Sequence, residues 1–274
     1  MLSCKYTLFP DYEALIIRME SFELEKLERS WNEYDGSYTV SMKHGFDLFL
    51  RAGCEYSRKR FIYKIAEENE LNYLKTLELE NSICFDIGAN IGYWAKYLLK
   101  ISRVKELHCF EPDKQTCEIL CKNISDYNNV VLNQSAVSDS NNDLMLYIDP
   151  DHSGDNRPQF TKDRDSILVP CCTLDSYVEE HNIKQIDFIK IDIQGGEIRM
   201  LIGATCVIRK FKPLIMIEVA AEFGKESQVR INDYILQMVE ALNYRVYIVE
   251  DNLPKYLKKA QLKNIHGNVF LSPR

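Results

Sequence analysis

The sequence predicts an α/β protein built on a doubly wound, mostly parallel sheet, and three observations carry that expectation. From residue 82 onward, short apolar runs alternate with stretches of helical periodicity. Runs such as FIKI and LIMI lack polar alternation, as strands do when both faces of a sheet are covered. The first run ends in CFDIGANIGYW, Cys84 to Trp94, where two glycines and an asparagine lead from a strand into a helix.

Taken in order, SICFDIGA reads as a buried strand and Gly92 to Leu99 as a helix. VKELHCFEP is a second strand, followed by a helix from Asp113 to about Ile124, and VVLNQSAV is a third strand. LMLYIDP and SILVPCCTL are extended runs flanking the polar loop DHSGDNRPQFTKDRD. QIDFIKIDI is a strand, Gly196 to Arg209 a helix, and PLIMIEVA a strand. Glu226 to Leu242 forms a helix, YRVYIVED a strand, and GNVFLSP a last short strand. Together they make one domain, 82–274. Residues 1–81 are richer in aromatics and charge, with a long helix around Tyr56 to Leu77, and read as a cap or lid.

The bulk numbers exclude several classes. With 46% hydrophobic and 27% charged residues, the 274-residue chain has the composition of a soluble globular protein. No apolar run approaches the roughly 20 residues that span a bilayer. MLSCKYTLFPDYEALIIRME is interrupted by Lys5, Pro10, Asp11 and Glu13, so no signal peptide and a cytoplasmic location are expected. A formal charge of −7 disfavours a nucleic-acid partner, and SRKR at 57–60 reads as a solvated helix face. Nine cysteines without C-x-x-C spacing read as small apolar side chains in a reducing compartment. The five histidines are scattered, so no metal is expected.

The glycine stretch is not a dinucleotide fingerprint. That fingerprint is G-x-G-x-x-G, whose second glycine lets the backbone approach a pyrophosphate. Here the order is Asp86-x-Gly88-x-Asn90-x-Gly92, so the position that must be bare carries a side chain. Asp86, at a strand end, repels phosphate and attracts an ammonium group. A ligand with a nucleoside for the loop and an amino-acid end for the carboxylate meets both conditions, and S-adenosylmethionine is one. Glu111 ends LHCFEP, 19 residues after Gly92, where an acid accepts from ribose hydroxyls. A NAD(P)-dependent oxidoreductase is the competing enzyme class, disfavoured by Asn90 and Asp86.

FDIGANIG, FEPD, SAVSD and then TLDSY followed by DFIKIDIQGGEIRMLIGA, in that order, resemble the FkbM-type family of class I S-adenosylmethionine-dependent methyltransferases. The resemblance covers roughly 83–220, with weaker similarity in HGFDLFLRAG and NVFLSP. It implies a seven-stranded Rossmann-like sheet with an N-terminal helical cap, and S-adenosylmethionine as cofactor. It also implies O-methyl transfer to a sugar, glycan or other small hydroxylated acceptor. One position departs from the family, which commonly reads K-I-D-V-E-G-x-E where this chain has KIDIQGGE. Gln194 keeps only the hydrogen bonding of the usual acid, which leaves open a catalytically silent binding module.

In an open parallel sheet, ligands bind outside the carboxyl ends of the strands. By that geometry Asp86, Gly88, Ala89, Asn90 and Gly92 hold the methionine end and Glu111 takes the ribose. Pro112 and Asp113 lie beside the adenine, and Ser135 and Ala136 offer groups to its edge. Asp139 reads as a solvated loop carboxylate. Lys190 sits in the apolar strand DFIKID, and a lysine there is rarely buried without a partner. Its expected partners are Asp192 and Glu218, and these three are the candidate catalytic residues. Asp192 lies by the cofactor's amino group and methyl, and Lys190 or Glu218 orients or deprotonates the acceptor. The competing reading is an ion pair that only orders the sheet edge. Burial makes a lysine a base and a neighbouring carboxylate opposes that shift; the sequence leaves the balance open. Glu197 reads as a favourable charge at a helix N-terminus. Trp31, Tyr34, Tyr38, Phe46 and Phe49 either stack on a sugar ring or pack under the cap, and His44 reads as a surface histidine.

Overall fold

The N-terminal segment, expected as a cap, comes first in the chain. Helix α1 (Ser21–Asn32) leads to a small antiparallel pair, β1 (Thr39–Ser41) and β2 (Asp47–Phe49), then to α2 (Glu55–Tyr63) and α3 (Glu68–Leu74). The single long helix expected over Tyr56 to Leu77 is broken, because Lys64 (φ 59°) and Glu67 (φ 48°) both adopt the left-handed conformation. The break is fastened: the Lys64 N–H caps α2 on the Arg60 carbonyl, and the Ala66 N–H donates to the Tyr93 hydroxyl at 3.1 Å. This computed structural model describes residues 21–219 and 225–274, so the N-terminal segment expected not to be a signal peptide lies outside the described residues.

Strands and helices then alternate as β3 (Ile83–Ile87), α4 (Tyr93–Lys100), β4 (Glu106–Phe110), α5 (Lys114–Ile124) and β5 (Val130–Asn133). The third expected strand ends early, and its tail becomes β6 (Ala136–Val137). The two extended runs do not join the sheet. They form a separate antiparallel hairpin, β7 (Leu144–Tyr147) with β8 (Ser166–Val169), and β9 (Cys171–Cys172) pairs in parallel with β6. Helix α6 (Leu174–Glu180) starts at Thr173, whose hydroxyl accepts from the Ser176 N–H at 3.1 Å.

Next come β10 (Phe188–Ile191), α7 (Glu197–Gly203), α8 (Thr205–Phe211) and β11 (Leu214–Val219). The helix expected over Gly196 to Arg209 is two short ones. Asp175 accepts from the Cys206 and Val207 N–H groups at 3.0 and 2.8 Å, which gives α8 its own N-terminal cap. The chain ends with α9 (Lys225–Leu242), β12 (Tyr244–Glu250), β13 (Leu253–Tyr256) and β14 (Gly267–Pro273).

The main sheet has eight strands in the order β13-β12-β14-β11-β10-β3-β4-β5. From β5 to β11 all neighbours are parallel, and β14 runs antiparallel to both β11 and β12. The fold is therefore the expected mixed α/β class with a mostly parallel sheet, carrying one strand more than the seven expected. The extra strand, β13, folds back on β12 through Asp251 and Asn252, both left-handed, as a two-residue hairpin requires.

Helices cover both faces. The cap aromatics Trp31, Tyr34 and Phe46 are buried in one cluster with Tyr93, Trp94, Leu107 and Phe270, so they are core on that face of the sheet. Tyr38 is half-exposed and Phe49 partly buried. His44, expected on the surface, is partly buried edge-on to Tyr97, and burial together with Lys75 and Lys43 holds its imidazole down at about 4. The eight cysteines among the described residues are free thiols. No helix among those residues is long and apolar enough to cross a membrane.

Candidate active site

Register sets the site. Ile87 lies beside Phe110 on one side and Ile191 on the other, so β3, β4 and β10 finish at one edge of the sheet. Beyond that edge the chain makes two interlocked turns.

The first turn follows β3. Gly88 has φ +82°, and a Cβ there would stand 1.9 Å from the Asp192 carbonyl oxygen, so the two turns touch through backbone. The Gly88 and Ala89 N–H groups both donate to the Phe110 carbonyl, at 3.0 and 2.9 Å. Asn90 is left-handed at φ 50°, and its Oδ1 accepts from the Ile91 N–H at 2.8 Å and the Ser153 hydroxyl at 3.1 Å. Gly92 forms the N-terminal boundary of α4.

Glu111 stands directly after β4 and joins this turn to α5. Its Oε2 accepts from the Asn90 N–H at 3.0 Å and its Oε1 from the Asp113 N–H at 2.9 Å. Burial pushes the carboxyl up to about 8 against those two donors. Asp113 is the N-cap of α5 and accepts from the Thr116 N–H and hydroxyl at 3.0 and 2.6 Å. Pro112 and Ser135 are partly exposed, while Ala136 is buried and donates its N–H to the Pro170 carbonyl at 2.8 Å. Asp139 pairs with Arg199 at 2.8 Å.

The second turn follows β10. Lys190 is 3% exposed and is the Cα partner of Asp86 across β3. Its Nζ donates to the Gly88 carbonyl at 3.1 Å and lies 3.4 Å from Asp86 and 3.5 Å from Asp192. Burial works to discharge the ammonium, but Asp86 and Asp192 outweigh it and hold the group above its ordinary value. Lys190 is therefore held as an ammonium, so in the balance the sequence left open the two carboxylates outweigh burial. Its expected partner Glu218 stands elsewhere: Glu218 Oε2 accepts from Gln194 Nε2 at 2.8 Å. The same amide donates to Asp192 Oδ1 at 2.7 Å. Asp86, placed by the sequence against the ligand, is 0% exposed and lies beneath the turn, whereas the Asp192 side chain is 30% exposed.

Glu197, the first residue of α7, does more than complement a helix end. Its Oε1 accepts from the Gly195 and Ile193 N–H groups at 3.0 and 3.3 Å, bracing the second turn much as Glu111 braces the first. Among the described residues no group of three or more His, Cys, Asp and Glu side chains could hold a metal ion.

Several participants escaped the sequence reading. Glu67, from the break between α2 and α3, accepts from Trp94 Nε1 at 2.6 Å and Asn268 Nδ2 at 3.2 Å, and its charge acts on Asp86, Lys190 and Glu218. Arg60, in the run taken for a solvated face, is buried with its guanidinium 3.7 Å over the Tyr56 ring. Helical spacing turns Ser57 and Arg60 inward together, so a basic run of four is not one face. The left-handed φ at Glu67 was the hidden element, since no glycine, asparagine or proline marks it.

A doubly wound sheet with a glycine turn after its first strand and a bracing acid after its second defines a nucleoside-binding α/β fold. The methyltransferase FkbM domain profile matches residues 86–246, and the chain belongs to that family of S-adenosylmethionine-dependent methyltransferases. It is 27% identical over 150 residues to a protein named 2-O-methyltransferase NoeI from Sinorhizobium fredii (strain NBRC 101917 / NGR234), covering 49% of this chain and 62% of that one. Among solved structures it is similar to a methyltransferase FkbM from Methylobacillus flagellatus KT, at TM-score 0.45 and 16% identity over 79% of this chain and 55% of that one. It is also similar to an rRNA methylase from Streptococcus thermophilus, at TM-score 0.39 and 14% identity over 74% and 93% of the two chains. The chain thus spans less than two thirds of the curated relative it matches.

Proposed function

We propose that the protein transfers a methyl group from S-adenosylmethionine to a hydroxyl of a sugar, glycan or other small hydroxylated acceptor. The observation that carries this reading is the cluster of Lys190, Asp192, Gln194 and Glu218 at the carboxyl ends of β10 and β11. The Asp192 carboxylate there is partly open, next to the backbone carbonyl that touches the turn at Gly88; an attacking hydroxyl must give up its proton, and a partly open carboxylate supports a base for it. The 2-O-methyltransferase name carried by the relative supports a hydroxyl acceptor.

The residues fit the cofactor. Glu111 spends one lone pair of each oxygen on a backbone N–H and keeps others for ribose hydroxyls. Asn90 and Gly92 shape the turn that would carry the nucleoside, with Pro112, Ser135 and Ala136 beside it. Asp192 would face the methionine end, with Asp86 acting on it through Lys190. When bound, the cofactor supplies a methyl group activated on a sulfonium. The protein's share is placement, worth on the order of 7–11 kcal/mol for well-oriented reactants, and a base, worth roughly 10²–10⁴-fold.

Calorimetry with S-adenosylmethionine and NAD in parallel, then formation of S-adenosylhomocysteine over a panel of glycans and small polyols, tests the reading. Binding of the first ligand with turnover of a hydroxylated acceptor is expected. Tight S-adenosylmethionine binding with no turnover across the panel would instead favour a silent binding module.

A further inference from the structure

We propose that Gln194 is a positioning residue that clamps Asp192 and Glu218 into a carboxyl pair sharing one proton, so that Asp192 is the base for the acceptor hydroxyl. The inference deepens the methyl-transfer reading and rests on it for the last step only.

The geometry comes from one amide. Gln194 Nε2 donates to Asp192 Oδ1 at 2.7 Å and to Glu218 Oε2 at 2.8 Å, so a single NH2 group bridges the two acids. Gln194 reaches both because its backbone is left-handed at φ 49° and Gly195 follows at φ +96°. Glu197 then holds that turn by accepting from the Gly195 N–H. The other oxygen of Asp192 faces the Lys190 ammonium at 3.5 Å. Asp192 therefore has a donor or a cation on each oxygen, whereas Glu218 has the shared amide and Asp192 itself.

Two carboxylates this close do not both ionise readily, and their surroundings decide which keeps the proton. Facing the pair are Lys190 on the same strand, Asp86 on β3, Glu197 on α7, and Tyr56 and Glu67 from the cap. Burial and the ionised Asp192 push Glu218 well above its ordinary value. Burial also opposes the charge on Asp192, but Lys190, Glu218 and Gln194 outweigh it and hold Asp192 below its ordinary value. The proton stays on Glu218 and the charge on Asp192.

In the transfer, the acceptor oxygen forms the new bond to the methyl carbon and the sulfur–methyl bond breaks with its electron pair going to sulfur. The hydroxyl proton passes to Asp192, which becomes neutral as the sulfonium becomes a thioether. A third acid at 194, as in the commoner family pattern, would repel Asp192 where the amide binds it.

The test uses the full chain carrying 13C-labelled Asp and Glu carboxyls, with S-adenosylmethionine affinity measured alongside. In wild type, one carboxyl assigned to Glu218 by its loss in Glu218→Gln is expected to titrate above neutrality. Asp192, assigned by Asp192→Asn, is expected to stay ionised through neutrality. Gln194→Glu should move the Asp192 midpoint upward and shift the acidic limb of the single-turnover pH profile with it. Gln194→Asn suits the left-handed backbone and keeps an amide too short to span both acids; it should show the same direction of change if Gln194→Glu fails to fold. Asp192→Asn should slow single turnover by roughly 10²–10⁴-fold. Two ionised carboxyls at neutral pH in wild type, or titrations unmoved by either Gln194 change, would overturn the proposal. Because the titration needs no acceptor, a failed methyl-transfer reading shows itself separately, as wild-type protein with the one-proton pair and no turnover.

Discussion

Lys190 makes three polar contacts from a buried strand position, to the Gly88 carbonyl and to two carboxylates, one of them wholly inaccessible. Lys190→Met strands the buried Asp86 carboxyl without its counter-ion, and the expected loss is about 3–5 kcal/mol in urea unfolding. Asp86→Asn added to the same chain should recover part of that loss; simple addition of two losses would mean the pair is not coupled. Glu197 gives a pH signature. Burial raises its carboxyl to about 7 from an ordinary 4.5, against the Gly195 N–H. The folded chain keeps a proton there that the unfolded chain releases, so this stabilisation is complete below the lower value and gone once pH has risen through the upper. Glu197→Gln is neutral at all pH, so its Tm relative to wild type should rise between about pH 5 and pH 8; a constant difference over that range would contradict the shift. A lysine in an apolar strand announces a partner in the sequence, and Asp192 two residues on was a fair choice. Asp86 was not legible as its partner, because only the parallel register of β3 and β10 makes the two neighbours.

The elements of the site are turns that hold each other. Any side chain at 88 would need the left-handed backbone and would also displace the carbonyl that leads β10 into its turn. Gly88→Ala is therefore expected to lower Tm by several degrees and weaken S-adenosylmethionine binding at least 10-fold, read by melting and calorimetry on one sample. Wild-type affinity in a folded Gly88→Ala chain would show that the turns move independently. The glycine turn was legible because its chemistry is local. The breaks at Lys64 and Glu67 were not, since no proline or glycine stands at those positions, and the break at Ala204, though Gly203 precedes it, is capped by the distant Asp175. The extra strand β13 left a readable cue in the adjacent Asp251 and Asn252, a pair suited to a tight hairpin.

At the scale of the molecule, the alternation of strands and helices was enough to place Asp86, Glu111, Asp192 and Glu218 along one edge, because chain direction in a parallel sheet fixes where strands end. What the cap contributes there was hidden, since it depends on tertiary placement. Glu67 is where that placement matters most. It accepts from Trp94 on α4 and from Asn268 on β14, a hydrogen bond spanning 201 residues. Closing so long a loop carries an entropic cost that local helices and hairpins do not face, and topologies rich in such links form slowly. Assembly order follows from this single carboxylate. During refolding, helical signal should return before the ability to bind S-adenosylmethionine, and Glu67→Gln, which keeps one acceptor oxygen, should widen that gap less than Glu67→Ala does. Stopped-flow circular dichroism beside a cofactor-binding assay would time the two events, and simultaneous recovery would mean the cap is seated before the sheet is complete. The binding site is then a late product of folding, and newly made chains pass through an interval in which they are structured yet unable to hold their ligand.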